Sequence, residues 1–468
     1  MPRFTVPPNF TGTAGDETLI GEDLNKFPAI GIDILTGGFT FTGSGKDTIK
    51  GNGTGGKGGD GAIGKNVNGS KGGAGIGIRN NGNLNAGSDD DAIIAKGIGG
   101  RGGNGAEEAS GTGGGGGGAG TGILNIGILN TGLGNDSIIG NGSGGKGERG
   151  GGQFSGGGGG GFGTGISNRG SLNTGDGNDT ITGTGTGGAG ANDRYGGNGG
   201  VGTGISNTGQ LDTGDGNDAI TGIGIGGISG GGISGGNGGV GIGISNRGSL
   251  NTGGGNDTIT GTGTGGISGG GLFGGDGSVG TGIGIQNIKG ATITTGQGND
   301  TITGSGNALA YSPIVIGISN DGVIDAGNGR DILTGQATAT IDGAAYGIYG
   351  KGTIKTGDSN DKITATTTIN EVQQKVSIGG GIKIDLGTGN DYFKGFGTGT
   401  VDGGKGFDSL DLSAFNRSEL TFSGIILGNA LNPANISFNN NGDVITLSTT
   451  GFENFIFADG SLSYSTLA

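Results

Sequence analysis

One ten-residue phrase, TGDGNDTITG at 174–183, returns along most of this 468-residue chain. Its copies centre on Asp47, Asp91, Asp136, Asp179, Asp218, Asp257, Asp300, Asp331, Asp361 and Asp391, and AGDETLIG at 14–21 holds Glu17 in that place. From Glu17 onward the spacings are 30, 44, 45, 43, 39, 39, 43, 31, 30 and 30. Such a series is a 30-residue unit that carries an insert in the middle of the array.

Three aliphatic files run in step with the anchors. Two residues after each stands an Ile, Leu or Phe, from Ile49 to Phe393. Seven residues before it stands Leu or Ile, from Leu84 to Ile384. Thirteen before it stands Ile, from Ile34 to Ile378, with a slip to Ile285 in the Asp300 unit. Polar residues and Gly separate the files, so each unit reads as three short strands with one inward aliphatic apiece. A lone unit cannot bury that face, whereas stacked units lay each Ile on its equivalent. The pattern predicts an all-β chain, a three-sided parallel β-solenoid. It has about eleven coils over residues 1–402 and is about 50 Å long. The chirality of parallel crossovers makes it right-handed.

Composition sharpens this. The chain has 135 Gly, six Pro and no Cys, His or Trp. Disulfides and thiolate or imidazole chemistry are excluded. Collagen is excluded too, because Gly does not keep a strict third-residue period and Pro is scarce. Gly recurs four residues before every Asp anchor from Gly43 to Gly387, and Asn commonly precedes the anchor, so G-x-G-N-D reads as a tight corner. A second corner, Asn-x-Gly, appears at Asn168, Asn207 and Asn246; stacked Asn amides there can bond from coil to coil.

The inserts fall after the third strand, in coils spanning roughly 50–285, as in GTGGAGANDRYGGNGGVG at 185–202. Their alternatives are surface loops or bare backbones lying side by side in polyproline-II form. After about residue 400 the period breaks and aromatics enter, among them Phe415, Phe438 and Phe455. Residues 403–468 read as a small β cap over the end of the stack. FTVPPNF at the other end shows no comparable cap, and an open edge there would pair with another molecule.

Stacking brings the anchor carboxylates into one column, which needs an answering charge or hydrogen-bond donors. The motif GxGNDxI resembles the hemolysin-type (RTX) calcium-binding nonapeptide; the nearest match is GGKGFDSLD at 403–411, with Asp408 in the aspartate place. That resemblance covers corners over 12–411. It implies calcium as cofactor, held by the anchor Asp residues and their corner carbonyls, above all near Asp391, Asp402 and Asp408. One corner per coil departs from the two that the family supplies. The resemblance also implies export by a type I route using an uncleaved C-terminal signal, hence an extracellular or cell-surface location. MPRFTVPPNF, which lacks the apolar stretch of a secretory signal, fits that expectation.

The net charge of −14 disfavours nucleic acid, and no apolar run is long enough for a membrane-spanning helix. No acid–base cluster interrupts the repeat, so an enzyme is not expected. The leading expectation is a secreted structural protein of the cell surface or matrix, a homo-oligomer or homopolymer joined head-to-tail or laterally into fibres or sheets. A monomeric calcium-binding exoprotein or adhesin is the alternative. An ice-binding solenoid is a minor one, prompted by Thr180, Thr182, Thr184 and Thr186 and opposed by Ile223, Ile225 and Lys96.

Overall fold

The computed structural model describes residues 2–63, 65–107, 111–275, 277–308, 314–340, 343–425 and 433–467, without the side chains of 271–275. It is a parallel β-solenoid with three strands per coil. Short alternating segments flanked by Gly corners cannot extend as helices, and each buries one aliphatic side chain against the axis. One representative coil consists of Gly163–Asn168, Ser171–Asn173 and Thr180–Thr186. The next coil pairs with it in register: Ile166 with Ile205, Leu172 with Leu211 and Ile181 with Ile220. These form three files of fully buried side chains and one continuous core from Val6 to Leu467.

Two details of the files differ from the sequence expectation. Ile32, not Ile34, pairs with Ile78; Ile34 takes the place that Asn80 holds in the following coil. Ile285 pairs with both Ile244 and Ile318, so the slip of the Asp300 unit is absorbed in the corner between Asn287 and Thr292 and not in the core.

The inserts are ordered arms. An outgoing arm continues the third strand's bonding: Gly187 and Gly190 donate their N–H groups to Ile225 and Ile228 carbonyls of the next coil, three residues apart. The returning arm does the same, with Gly196 to Ser234 and Gly199 to Asn237. The layers are tied together, Gly200 donating to Gly188 within the coil and Gly227 donating to Gly200 from the next. A three-residue period in extended chain is the polyproline-II repeat. Glycine is required here because backbones touch: a methyl on Gly188 would stand 2.0 Å from the Gly145 carbonyl oxygen.

Parallel pairing runs past residue 402. Gly397–Asp402 pairs with Asp443–Thr450, and Ser409–Leu412 pairs with Asn454–Phe457. Antiparallel strands Leu420–Ser423 and Ala434–Asn440 extend the first of these sheets. Aromatic rings close this end, Phe415 lying 4.9 Å from Phe396 and 5.0 Å from Phe438, centroid to centroid.

The opposite edge is guarded in part: among the described residues Phe4–Val6 and Phe10–Thr13 pair only with the following coil, while the third strand of that coil has its outer side partly covered. Strand Thr18–Lys26 is interrupted by a bulge at Asn25 (φ 58°), and the N–H of Glu22 bonds the Pro2 carbonyl, so residues 2 and 3 lie across that edge. Pro7 and Pro8 follow Phe4–Val6 and offer no N–H. The fully buried Asp33 carboxylate holds Arg3 and also Arg79, the latter through two bonds of 2.7 Å. Among the described residues helix is limited to two short turns, Arg417–Glu419 and Tyr464–Thr466, and no helix is long and apolar enough to cross a membrane.

Candidate functional site: a buried carboxyl column

The corner between the second and third faces is set by two glycines with positive φ, such as Gly175 (φ 90°) and Gly177 (φ 143°) in the Asp179 coil. That backbone turns the anchor side chain inward. All ten anchors and Asp408 are 0–2 % exposed. They form one file. The N–H of each residue donates to Oδ1 of the equivalent residue in the next coil. The distances are 2.8 Å from Asp47 to Asp91, 2.8 Å from Asp179 to Asp218 and 2.8 Å from Asp391 to Asp408. Every rung between shares the geometry, from 2.7 to 2.9 Å.

Glutamates close both ends. Glu17 donates its N–H to Asp47 Oδ1 at 2.7 Å and folds its own carboxylate back onto the Thr13 N–H at 3.1 Å. At the other end Asp408 donates to Glu453 Oε2 at 2.8 Å. Sequence reasoning missed Glu453. Its signal was present, since Phe455 follows it by two residues, as Leu410 follows Asp408 and Ile220 follows Asp218.

Oδ2 of all these Asp residues is buried and has no hydrogen-bond partner among the described residues. Burial, reinforced in most cases by neighbouring carboxylates, pushes the carboxyls of the column from Asp91 to Asp408 upward. The carboxyl of Asp179 rises to about 6, those of Asp91, Asp218 and Asp408 to about 7, and that of Asp331 to about 8. Asp361 and Asp391 rise to about 6, and Asp136, Asp257 and Asp300 rise for the same primary reason. In several coils a Thr five residues earlier lies beside the carboxyl. Thr213 flanks Asp218 and also directs its hydroxyl at the Thr252 carbonyl, 3.4 Å away. A neutral carboxyl can donate its O–H to such a hydroxyl, which in turn donates to a carbonyl of the next coil; a carboxylate has no proton to donate. Asp331, with the highest value, has Ala326 at that position.

As a calcium site the column fits in part. Each coil offers one unpartnered oxygen, but Oδ1 is committed to an N–H, and corner carbonyls such as those of Gly43 and Gly253 accept N–H groups from Ser88 and Gln297. The carboxyls stand in single file, and among the described residues no three acidic side chains converge on one point. Asp391 and Asp408 are adjacent rungs, but Asp402 lies outside the column, at the end of a second-face strand, where Oδ1 accepts the Gly404 N–H at 3.2 Å.

A second polar column stands at the corner between the first two faces. Asn80, Asn125, Asn168, Asn207, Asn246, Asn287 and Asn320 are fully or almost fully buried, and each Nδ2 donates to the next Oδ1 at 2.8–3.0 Å.

Fold and columns together define a parallel β-solenoid whose corners are held by stacked side-chain amides and carboxyls. No family model, curated protein or solved structure matches the chain.

Proposed function

We propose that this chain is a structural protein of the cell surface or extracellular matrix, a stiff rod that self-associates. The observation that carries this reading is the uninterrupted file, from Glu17 to Glu453, in which each backbone N–H donates to the carboxyl of the equivalent residue in the next coil. Nearly every coil spends its polar residues on the next coil and leaves no constellation aimed at a substrate. A cleft between the solenoid and the cap is lined by Tyr346, Thr367, Lys375 and Phe438, with no carboxylate among its described lining residues, in keeping with a non-enzymatic role. The partly guarded first edge favours lateral over head-to-tail contact.

Calcium-dependent behaviour is a second reading, favoured by the unpartnered Oδ2 atoms, with hemolysin-type export as its companion. Electron microscopy of the purified protein, with millimolar calcium and again with chelator, tests both. Fibres, sheets or paired rods in both conditions support a structural role with the metal secondary; assembly only with calcium makes the cation the switch. Isolated rods in both would overturn self-association.

A further inference from the structure

The outward side of the third face is uncharged over a long run of coils. Its strands have identical registers, so their outward residues form straight files; one reads Thr182, Thr221, Thr260, Thr303, Thr334. Across six coils, from Ser137 to Thr338, no outward position of this face is charged, and more than half are Thr. Charge returns on both sides, at Lys96 in the coil before and Lys362 in the coil after. The second face carries Asp212 and Asp325, and the corners carry Asp176 and Asp215. In a chain of net charge −14, this is a broad face on which two copies could meet without repulsion.

The margin of that face where the strands run into the outgoing arms is apolar. Ile225 is 40 % exposed, and beside it on the outgoing arms Ile228 and Ile267 are 55 % and 42 % exposed. The arms prolong the files: Gly187 bonds the Ile225 carbonyl, Gly190 that of Ile228, and Ser229 that of Ile267. An apolar patch continuous with a neutral hydroxyl-bearing surface suits a protein interface. Seven strand residues plus the first arm residues span about 30 Å, and six rungs span about 25 Å. The footprint is on the order of 750 Å², close to the ~800 Å² per partner of a stable pair.

We propose that two copies of this chain pair face to face through their third faces, with Ile225, Ile228 and Ile267 as the apolar anchors. This deepens the self-association reading and rests on it. A second copy is the occupant that matches the rung repeat across the whole width, and a two-fold arrangement makes the face complementary to itself.

Sedimentation velocity over a concentration series, alongside thermal melts, tests the pairing. Ile225→Glu and Ile228→Glu place a charge at exposed positions and are expected to weaken pairing at least about tenfold, the loss of an interface anchor, with unchanged melting. Thr262→Lys, one rung away, gives the same result if either Ile variant melts early. Ser171→Glu, on the second face, is expected to pair like wild type. Mixing Ile225→Glu with Ile225→Lys is expected to restore association. Wild type that assembles while the third-face variants assemble equally well would overturn this interface and leave self-association standing. Wild type that stays single at every concentration would overturn self-association and the interface with it. Single rods that reshape growing ice crystals would assign the face to ordered water and overturn pairing.

Discussion

At the scale of the residue, the anchor Asp does two tasks that pull against each other. Oδ1 must accept an N–H from the preceding coil, which a charged or neutral carboxyl does equally well by geometry. Oδ2 sits without a donor in a dry file of its own kind, which favours the neutral form. With folded values raised to about 6–8 against an ordinary 3.8, the native state binds more protons than the unfolded chain between those limits. Stability from this source is therefore fully present below about pH 4 and is lost as pH rises through about 6 to 8. Melting in calcium-free buffer is expected to occur at a higher temperature at pH 5 than at pH 8.5; a flat profile would contradict the account. Asp218→Asn keeps the acceptor and supplies an N–H for Thr213, so it is expected to raise stability at pH 8 and reduce the pH dependence. Asp218→Ala strands the Asp179 N–H, worth about 1–3 kcal/mol, and also removes a carboxyl that stabilises the fold when neutral, so its cost by chemical denaturation is expected to be greater at pH 5 than at pH 8.5.

At the scale of the element, strands and corners were legible and the arms less so. The aliphatic files and the G-x-G-N-D corners dictate where the chain turns, and the stacked Asn column was readable from Asn168, Asn207 and Asn246 alone. The inward aim of the anchors was not readable, because a corner Asp that caps its own turn and one that bonds the next coil have the same spacing. The arms had a signal in the triplets Gly99-Gly100-Arg101 and Gly102-Gly103-Asn104: two glycines meet neighbouring backbones and the third residue faces out. It was masked by the longer 39–45-residue period that contains it. Backbone amides of Gly100, Gly145, Gly188 and Gly227, all bonded to the preceding coil's returning arm, are expected to exchange slowly with deuterium. Gly188→Ala is expected to cost about 1–3 kcal/mol by forcing the arms apart. Gly159→Ala, whose nearest neighbour would be 3.4 Å away, is expected to be tolerated, and the difference in melting temperature measures the contrast.

At the scale of the whole molecule, the two ends have different protections. One is covered by a cluster of aromatic rings and antiparallel strands. The other has proline, a bulge and the Arg3–Asp33–Arg79 clamp. Deleting residues 2–26 would expose the ladder edges of Ala29–Ile34, Phe39–Gly43 and Thr48–Gly55 together with Oδ1 of Asp47. Such a variant is expected to aggregate or grow end to end, seen by electron microscopy as rods longer than those of the full chain at the same pH.

The two glutamates that close the carboxyl column give the rod a countable length. Between them each rung is interchangeable with the next, because the donor at Asp179 meets the same acceptor whether Asp218 or Asp257 supplies it. Excising residues 180–218 joins Asp179 to Ala219 and leaves all three files in register. The gene for such a molecule can lengthen or shorten by whole coils without inventing a new contact, while the terminal Glu residues mark where counting stops.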